Sequence, residues 1–344
     1  NAQHIETEAD LELSGLEGCR HIGITAGAST PNWIIKRVYR ELENSLLKKG
    51  GSIRQFAFLA LRYLLLSNIY LALGTGCLAY AAAVLLNIPI SGVDAGIAVL
   101  YILCMHTYNN LIDISSDRYS DPDRATFYQH NRTWLSVLTA GAGLAVLAMA
   151  AGRGIAVFFL LLVMGALGII YNARLLPRGH SRRKTRIRDI PASKTVLVSL
   201  AWGIVTTLLP ALHHQGTLHG NTVAVFFWIC GLVFVQTAFF DIMDMQGSRI
   251  VGKETIPIVL GEKRTMRLLK VLAAAMAILM GAASAAGFMT GAGVFVAGCP
   301  LLMLVFLYVH EHGEFSPGFR QSFLMQSHFL LAGVLAVAGR IVFT

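Results

Sequence analysis

Two clusters of oxygen-bearing side chains close two long apolar stretches: Asn109, Asp113 and Asp117 at one, Asp241 and Asp244 at the other. The first three stand four residues apart and the last two three apart, so on α-helices each cluster projects from a single face. Both clusters run into loops rich in Lys and Arg. Such sets suit Mg²⁺, a hard ion that takes a few carboxylates plus phosphate oxygens and water, and two facing sets can hold a diphosphate through bridging metal. An Asp near the centre of a bilayer helix costs on the order of 2.5–3.5 kcal/mol, and less at its ends. Asp113 and Asp241, in helical spacing behind apolar runs, therefore read as functional, whereas Asp121 and Asp123, beside Pro122, read as the start of a solvated loop.

Helices that cross a membrane must position these groups. Over 344 residues the mean hydropathy is +0.60, with 55% hydrophobic and only 14% charged residues, outside the range of an ordinary soluble domain. The expected fold is an all-α integral membrane bundle of about nine transmembrane helices behind a short soluble amino-terminal segment. The candidate spans are 61–86, 93–114, 134–151, 154–172, 195–212, 221–243, 268–288, 291–309 and 323–343. The net charge of +9 does not indicate nucleic acid, because the basic residues collect in alternate connections. Arg174, Arg178, Arg182, Arg183, Lys184, Arg186 and Arg188 crowd the fourth; Arg249, Lys253, Lys263, Arg264 and Arg267 crowd the sixth. The connections near 87–92, 213–220 and 289–290 carry no Lys or Arg. The positive-inside rule then places the amino terminus, the basic loops and both acidic clusters on the cytoplasmic side, as in a multi-pass protein of the inner (plasma) membrane. The five cysteines stand far apart without paired spacing, so neither a disulfide frame nor a zinc site is indicated.

Residues 1–50 are of another kind, charged and mixed, and the start at Asn1 without Met reads as a cut. His21-Ile-Gly-Ile-Thr-Ala-Gly-Ala-Ser-Thr-Pro31 followed by the amphipathic stretch 32–47 predicts a strand holding Ile22 and Ile24, a glycine turn at Gly27 and a helix. Ser29 at the helix entrance could hold a phosphate. This wording resembles the carboxy-terminal end of the IspH (LytB) hydroxymethylbutenyl diphosphate reductases, with Ser29 at the position of their last phosphate-contacting serine. The family's iron–sulfur cysteines lie upstream of this segment, and Cys19 does not match one. The resemblance implies a division into 1–50, a reductase remnant inactive by itself plus a linker, and 51–344, a membrane domain, with fusion suggesting supply of prenyl units.

Asn109-Asn-Leu-Ile-Asp113-Ile-Ser-Ser-Asp117 resembles the NxxxDxxxD motif of the UbiA prenyltransferase superfamily. Asp241-Ile-Met-Asp244-Met-Gln-Gly-Ser-Arg-Ile-Val-Gly-Lys253-Glu-Thr-Ile-Pro257 resembles its second motif, DxxDxxxD running into Gly-Lys-x-Thr-x-Pro. Two departures stand out. Asn110 occupies a position where many relatives have Asp, and Ser248 occupies the third acidic position of the second motif. The resemblance implies Mg²⁺-dependent transfer of a prenyl group from a prenyl diphosphate to an electron-rich lipophilic acceptor, aromatic in the first instance, amid membrane lipids. Asn109, Asp113, Asp117, Asp241 and Asp244 would hold metal; Asn110 and Ser248 would join the substrate site. Arg118, Arg249 and Lys253 either complete a diphosphate clamp or are simply positive-inside loop charges. Tyr171, at the end of the fourth span, either faces the allylic cation or anchors at the interface. Asn68, inside the first span, either lines the pocket or makes interhelical hydrogen bonds. His106 reads as a satisfied bundle histidine. Transfer to a sugar-phosphate or glycerol-phosphate acceptor, and a non-catalytic transporter or scaffold for isoprenoid diphosphates, are the rival readings.

Overall fold

The structure, a computed structural model, describes residues 2–16, 19, 21–27, 30, 32–48, 52–171, 176–178, 181–185, 190, 192–313 and 319–343. After α1 (Asn32–Lys48) and α2 (Ser52–Leu66) come α3 (Ile69–Leu86), α4 (Gly92–Ser120), the short α5 (Pro122–His130), α6 (Arg132–Arg153) and α7 (Ile155–Tyr171). A small antiparallel hairpin follows, β1 (Leu176–Arg178) and β2 (Ser181–Thr185), with Leu176 opposite Thr185. Then α8 (Ser193–Gly203) passes through a π-helical turn, Ile204–Leu208, into α9 (Leu209–Gln215). The second half holds α10 (Gly220–Met243), α11 (Met245–Val251), α12 (Ile256–Leu260), α13 (Glu262–Ala285), α14 (Ala292–Val296), α15 (Gly298–Glu311) and α16 (Phe319–Phe343).

Among the described residues, eight helical segments are long and apolar enough to cross a membrane: Ile69–Leu86, Gly92–Ser115, Arg132–Arg153, Ser193–Gln215, Gly220–Met243, Glu262–Ala285, Ala292–Glu311 and Phe319–Phe343. With the shorter apolar helix Ile155–Tyr171 they account for the nine expected spans, and the chain is a multi-pass membrane protein. Neighbouring helices pack in series, α7 on α6, α6 on α4, α4 on α3, α3 on α16, α16 on α15, α15 on α13, α13 on α10 and α10 on α8. In α3 and α10 two-thirds of the spanning window is buried, as expected of helices apolar on all sides. By contrast α6 and α13 turn side chains such as Val137, Leu144, Val271 and Ile278 outward, where hydrocarbon would cover them.

Three sequence expectations need correction. The first span, 61–86, is two helices rather than one, because Ser67 and Asn68 interrupt it and Asn68 takes a left-handed backbone with φ 63°. Residues 21–25 form no strand, and Ile22 and Ile24 lie exposed; a strand needs a paired neighbour, and among the described residues they have none. Asp121 and Asp123 are not merely solvated. Asp121 caps α5 by accepting from the Arg124 N–H at 3.2 Å, while Asp123 binds both Arg40 of α1 and Arg62 of α2, the latter at 3.2 Å. The predicted helix 32–47 is α1, and Ser29 lies outside the described residues.

At the opposite end of α4, Asp94 is buried. It pairs with Arg153 Nε at 3.1 Å and His214 Nε2 at 2.9 Å, joining the start of α4 to the ends of α6 and α9. Arg153, a basic residue on the face expected to lack them, is thereby paired with a carboxylate.

Candidate active site

The first motif occupies the last turns of α4, which runs past the apolar span to Ser120 and brings Asn109, Asp113 and Asp117 to one half-buried face. The second motif spans a local break: α10 ends at Met243, Asp244 has φ −104° and ψ 12°, and α11 starts at Met245. The Asp244 N–H still donates to Phe240 O at 3.0 Å and the Ser248 N–H to Asp244 O at 2.9 Å. Helical register therefore persists through the bend, and Asp241, Asp244 and Ser248 stay on a common side.

What joins the two motifs is a close backbone approach. A Cβ on Gly247 would lie 2.6 Å from Ser120 Cα and from Tyr119 O. Only glycine lets α11 rest on the end of α4 at that distance. After α11, Gly252 takes φ 72° and the Lys253 N–H returns to Ser248 O at 2.9 Å, a reversal that ends the helix and sends Lys253 back to the site. The Lys253 Nζ then stands 3.8 Å from Asp113 Oδ2 and 3.9 Å from Asp117 Oδ1, so one residue of the second motif bridges to both aspartates of the first.

Burial is the main electrostatic influence on Asp117, which lies beyond the apolar span. It pushes the carboxyl up to about 6, with Asp113 adding to the rise and Lys253 opposing it. Asp241 is buried, and its Oδ2 accepts from the buried Thr195 Oγ1 at 2.9 Å. Next to Thr195, Lys194 stands on the first turn of α8 with an exposed side chain. Tyr171, at the end of α7, has a buried hydroxyl and so faces inward rather than toward the membrane interface.

Other expected site residues are placed differently. Asn110 Nδ2 donates to Tyr128 Oη at 3.3 Å, and Asn68 Nδ2 donates to the same oxygen at 2.8 Å while Asn68 Oδ1 accepts from Arg124 at 3.3 Å. These two asparagines tie α5 to α3 and α4, the hydrogen-bonding alternative for Asn68. Arg118 donates to Gln129 Oε1 at 3.3 Å, and Arg249 lies 3.9 Å from Met245 Sδ, both on exposed surface. Their placement is that of loop charges. His106 Nε2 accepts from Trp202 Nε1 at 3.3 Å, as a satisfied bundle histidine. Sequence reasoning missed Thr195. A lone hydroxyl at the start of an apolar span carries no signal that separates it from its neighbours.

The donor set is oxygen throughout, as Mg²⁺ requires, and the Lys253 ammonium already marks where a cation sits between Asp113 and Asp117. Among the described residues no three His, Cys, Asp or Glu side chains converge closely enough to enclose a metal by themselves.

Comparison with known proteins accords with this geometry. Residues 68–327 match the family model of the UbiA prenyltransferase family, and residues 1–43 match that of the LytB protein. A UbiA homolog from Aeropyrum pernix K1, in its apo structure, superposes with a TM-score of 0.60 at 18% identity over 79% of this chain and 97% of that one. A UbiA homolog from Archaeoglobus fulgidus bound to GPP and Mg²⁺ gives 0.53 at 16% identity over 82% and 99%. At the amino terminus, the 4-hydroxy-3-methylbut-2-enyl diphosphate reductase of Clostridioides difficile (strain 630) is 55% identical over 40 residues, 12% of this chain and 14% of that protein. The chain thus spans only a small part of the reductases it matches. With the family match covering the helices that carry both aspartate sets, the chain belongs to the UbiA prenyltransferase family.

Proposed function

We propose that the membrane domain, 51–344, transfers a prenyl group from a prenyl diphosphate to an electron-rich lipophilic acceptor and releases diphosphate, at a site opening to the cytoplasmic face of the plasma membrane. The observation that carries this reading is the close approach of the two motif-bearing helices at Gly247 and Ser120, with Lys253 of the second motif reaching Asp113 and Asp117 of the first. Asn109, Asp113 and Asp117, and across from them Asp241 and Asp244, would hold Mg²⁺. Bound there, the metal supplies Lewis-acid stabilisation of the charge that grows on the diphosphate as the C1–O bond breaks. Lys253 contributes a point charge to the same oxygens, and Thr195 fixes the orientation of Asp241. Tyr171, whose hydroxyl is buried, would present its ring to the allylic cation that forms before the acceptor's electron pair attacks C1. Support for the donor class comes from the Archaeoglobus fulgidus homologs of the same fold, which bind DMAPP or GPP with Mg²⁺. The LytB-like segment, 1–50, accords with a place beside prenyl diphosphate supply.

The test is to incubate the purified protein in lipid nanodiscs with Mg²⁺ and prenyl diphosphates of increasing length, offering aromatic, sugar-phosphate and glycerol-phosphate acceptors. A prenylated aromatic product, identified by mass spectrometry together with Mg²⁺-dependent diphosphate release, is the expected result. A product formed only on a phosphorylated acceptor would overturn the acceptor class. Diphosphates bound without turnover on any acceptor would refute the transferase reading in favour of a binding scaffold.

A further inference from the structure

Gln236 of α10 and Gln326 of α16 are 6% and 5% exposed, and the side-chain carbonyl of each has no hydrogen-bond partner among the described residues. Both stand in membrane-spanning segments, where lipid offers no substitute for a missing partner. Buried hydroxyls of the adjoining α8 are satisfied: Thr195 Oγ1 donates to Asp241 Oδ2 at 2.9 Å, and Ser199 Oγ to Thr195 O at 2.7 Å. An unpaired amide at such a position costs stability, and a ligand that donates to it removes that cost.

The two glutamines lie at a common depth beneath the aspartates. Gln236 comes five residues before Asp241 on α10, about 7.5 Å further into the bundle. The start of α16 is at the aspartate end, where Phe319 packs on Phe58 of α2 with ring centroids 4.9 Å apart. Further along α16, the Phe329 ring lies 5.0 Å from that of Trp202, which is seven residues beyond Thr195 and so about 10.5 Å beneath its bond to Asp241. Gln326, one turn nearer the start of α16, returns to a depth of about 6 Å. The fully buried rings of Phe239 and Phe329 follow one turn from Gln236 and Gln326, a setting for a flat aromatic ligand. A prenyl diphosphate held by the aspartates sends C1 into the bundle, so the acceptor has to meet it in this layer. We propose that Gln236 and Gln326 bind the acceptor, each side-chain carbonyl accepting from a hydroxyl on an aromatic ring, and that these bonds fix which ring carbon faces C1. The inference rests on the prenyl-transfer reading above, but its failure is separable from the failure of that reading.

The experiment uses the full chain in nanodiscs, loaded with Mg²⁺ and a non-cleavable prenyl thiolodiphosphate. Calorimetry against empty nanodiscs measures the affinity for hexylresorcinol, which carries two ring hydroxyls, and for its dimethyl ether, which carries none. The parent should prefer the diol by about tenfold or more, and Gln236→Leu and Gln326→Leu should each weaken diol binding by about fivefold, the scale of one lost hydrogen bond. The double variant should bind diol and diether within about threefold of each other. Leucine nearly matches glutamine in volume and removes an unpaired amide, so the thermal midpoint without ligand should stay equal or rise. A merely structural pair of glutamines would show the opposite, a lowered midpoint with the preference for the diol kept. Unchanged thiolodiphosphate affinity shows that each variant is folded. A parent that does not distinguish diol from diether, variants that bind the diol as the parent does, or a lowered midpoint would each overturn the inference and leave the diphosphate reading standing. A thiolodiphosphate that fails to bind the parent at any Mg²⁺ concentration would overturn both.

Discussion

Gly247→Ala tests whether the spacing of the two motifs is set by backbone contact. The added methyl would lie 2.6 Å from Ser120 Cα, 2.6 Å from Tyr119 O and 2.8 Å from Ser120 Cβ. Two of these atoms are main chain in the last turn of α4, so no change of rotamer relieves the clash. Reaching an ordinary contact of 3.4 Å requires α11 to withdraw by about 0.8 Å. Alanine's better helix propensity returns roughly 0.5–1 kcal/mol, whereas overpacking of this kind costs about 1–3 kcal/mol, so the net change in stability is a loss of up to about 2.5 kcal/mol. The effect on chemistry is larger. Withdrawing α11 carries Ser248 and Lys253 away from Asp113 and Asp117, and a misplacement near 1 Å costs on the order of 10²-fold in rate. Turnover of the nanodisc protein should therefore fall by about tenfold to a hundredfold, and half-saturating Mg²⁺ should rise, while circular dichroism keeps its helical signal. A variant within about threefold of the parent rate, with unchanged Mg²⁺ dependence, would show that this contact does not set the motif spacing.

Asp113→Asn and Asp241→Asn should each lower turnover more than tenfold in a folded bundle, because an amide cannot supply carboxylate charge to Mg²⁺; a loss smaller than tenfold, about 1.4 kcal/mol, would remove the residue from the metal-binding set. The Asp117 carboxyl, raised to about 6 by burial, holds its proton more tightly in the metal-free fold than in the unfolded chain. Its contribution to metal-free stability is therefore fully present below the ordinary carboxylate range and is lost as pH rises through 6. Metal must displace that proton, so half-saturating Mg²⁺ should climb by up to about tenfold per pH unit below 6; calorimetry showing the same affinity at pH 5 and pH 7 would contradict this. Cysteines placed near Lys184 or Lys263 should react with an impermeant reagent from the cytoplasmic side, and one near Gly216 from the other. Labelling of the Lys184 and Gly216 positions from one side would refute the odd number of crossings between them.

The parts legible in the sequence are those that depend on composition or regular spacing. Runs of apolar residues located the spans, since hydrocarbon admits little else. The four- and three-residue steps of the aspartates located both motif faces. What escaped were features made by backbone conformation or by pairing across the bundle. Hydropathy passes smoothly through Ser67 and Asn68 because it weighs side chains, and the left-handed turn there is fixed by bonds to Tyr128 and Arg124. Gly247 reads as an ordinary helix glycine until Ser120 is seen beneath it. Thr195 belongs to the site through the packing of α8 on α10, a neighbour relation that no local pattern encodes. Arg118 and Arg249 show the converse: they sit next to the motifs in sequence, yet Gln129 and Met245 are their partners in space.

The Asn68 break also bears on biogenesis. Its amide is 2% exposed, and both polar atoms are satisfied from α5, by Tyr128 and Arg124, which lie 60 and 56 residues downstream. At a synthesis rate of roughly 5–20 residues per second, about 3–12 s pass between the emergence of Asn68 and that of its partners. During that interval the first hydrophobic segment has no internal reason to bend, and an uninterrupted helix through residues 67 and 68 satisfies its backbone better than a left-handed joint does. The nascent chain would then insert with its first segment straight and acquire the joint only when α5 arrives. On this view the connection between α4 and α6 acts as a late-delivered clasp, and the active-site end of the bundle matures after its first two spans are already in the bilayer.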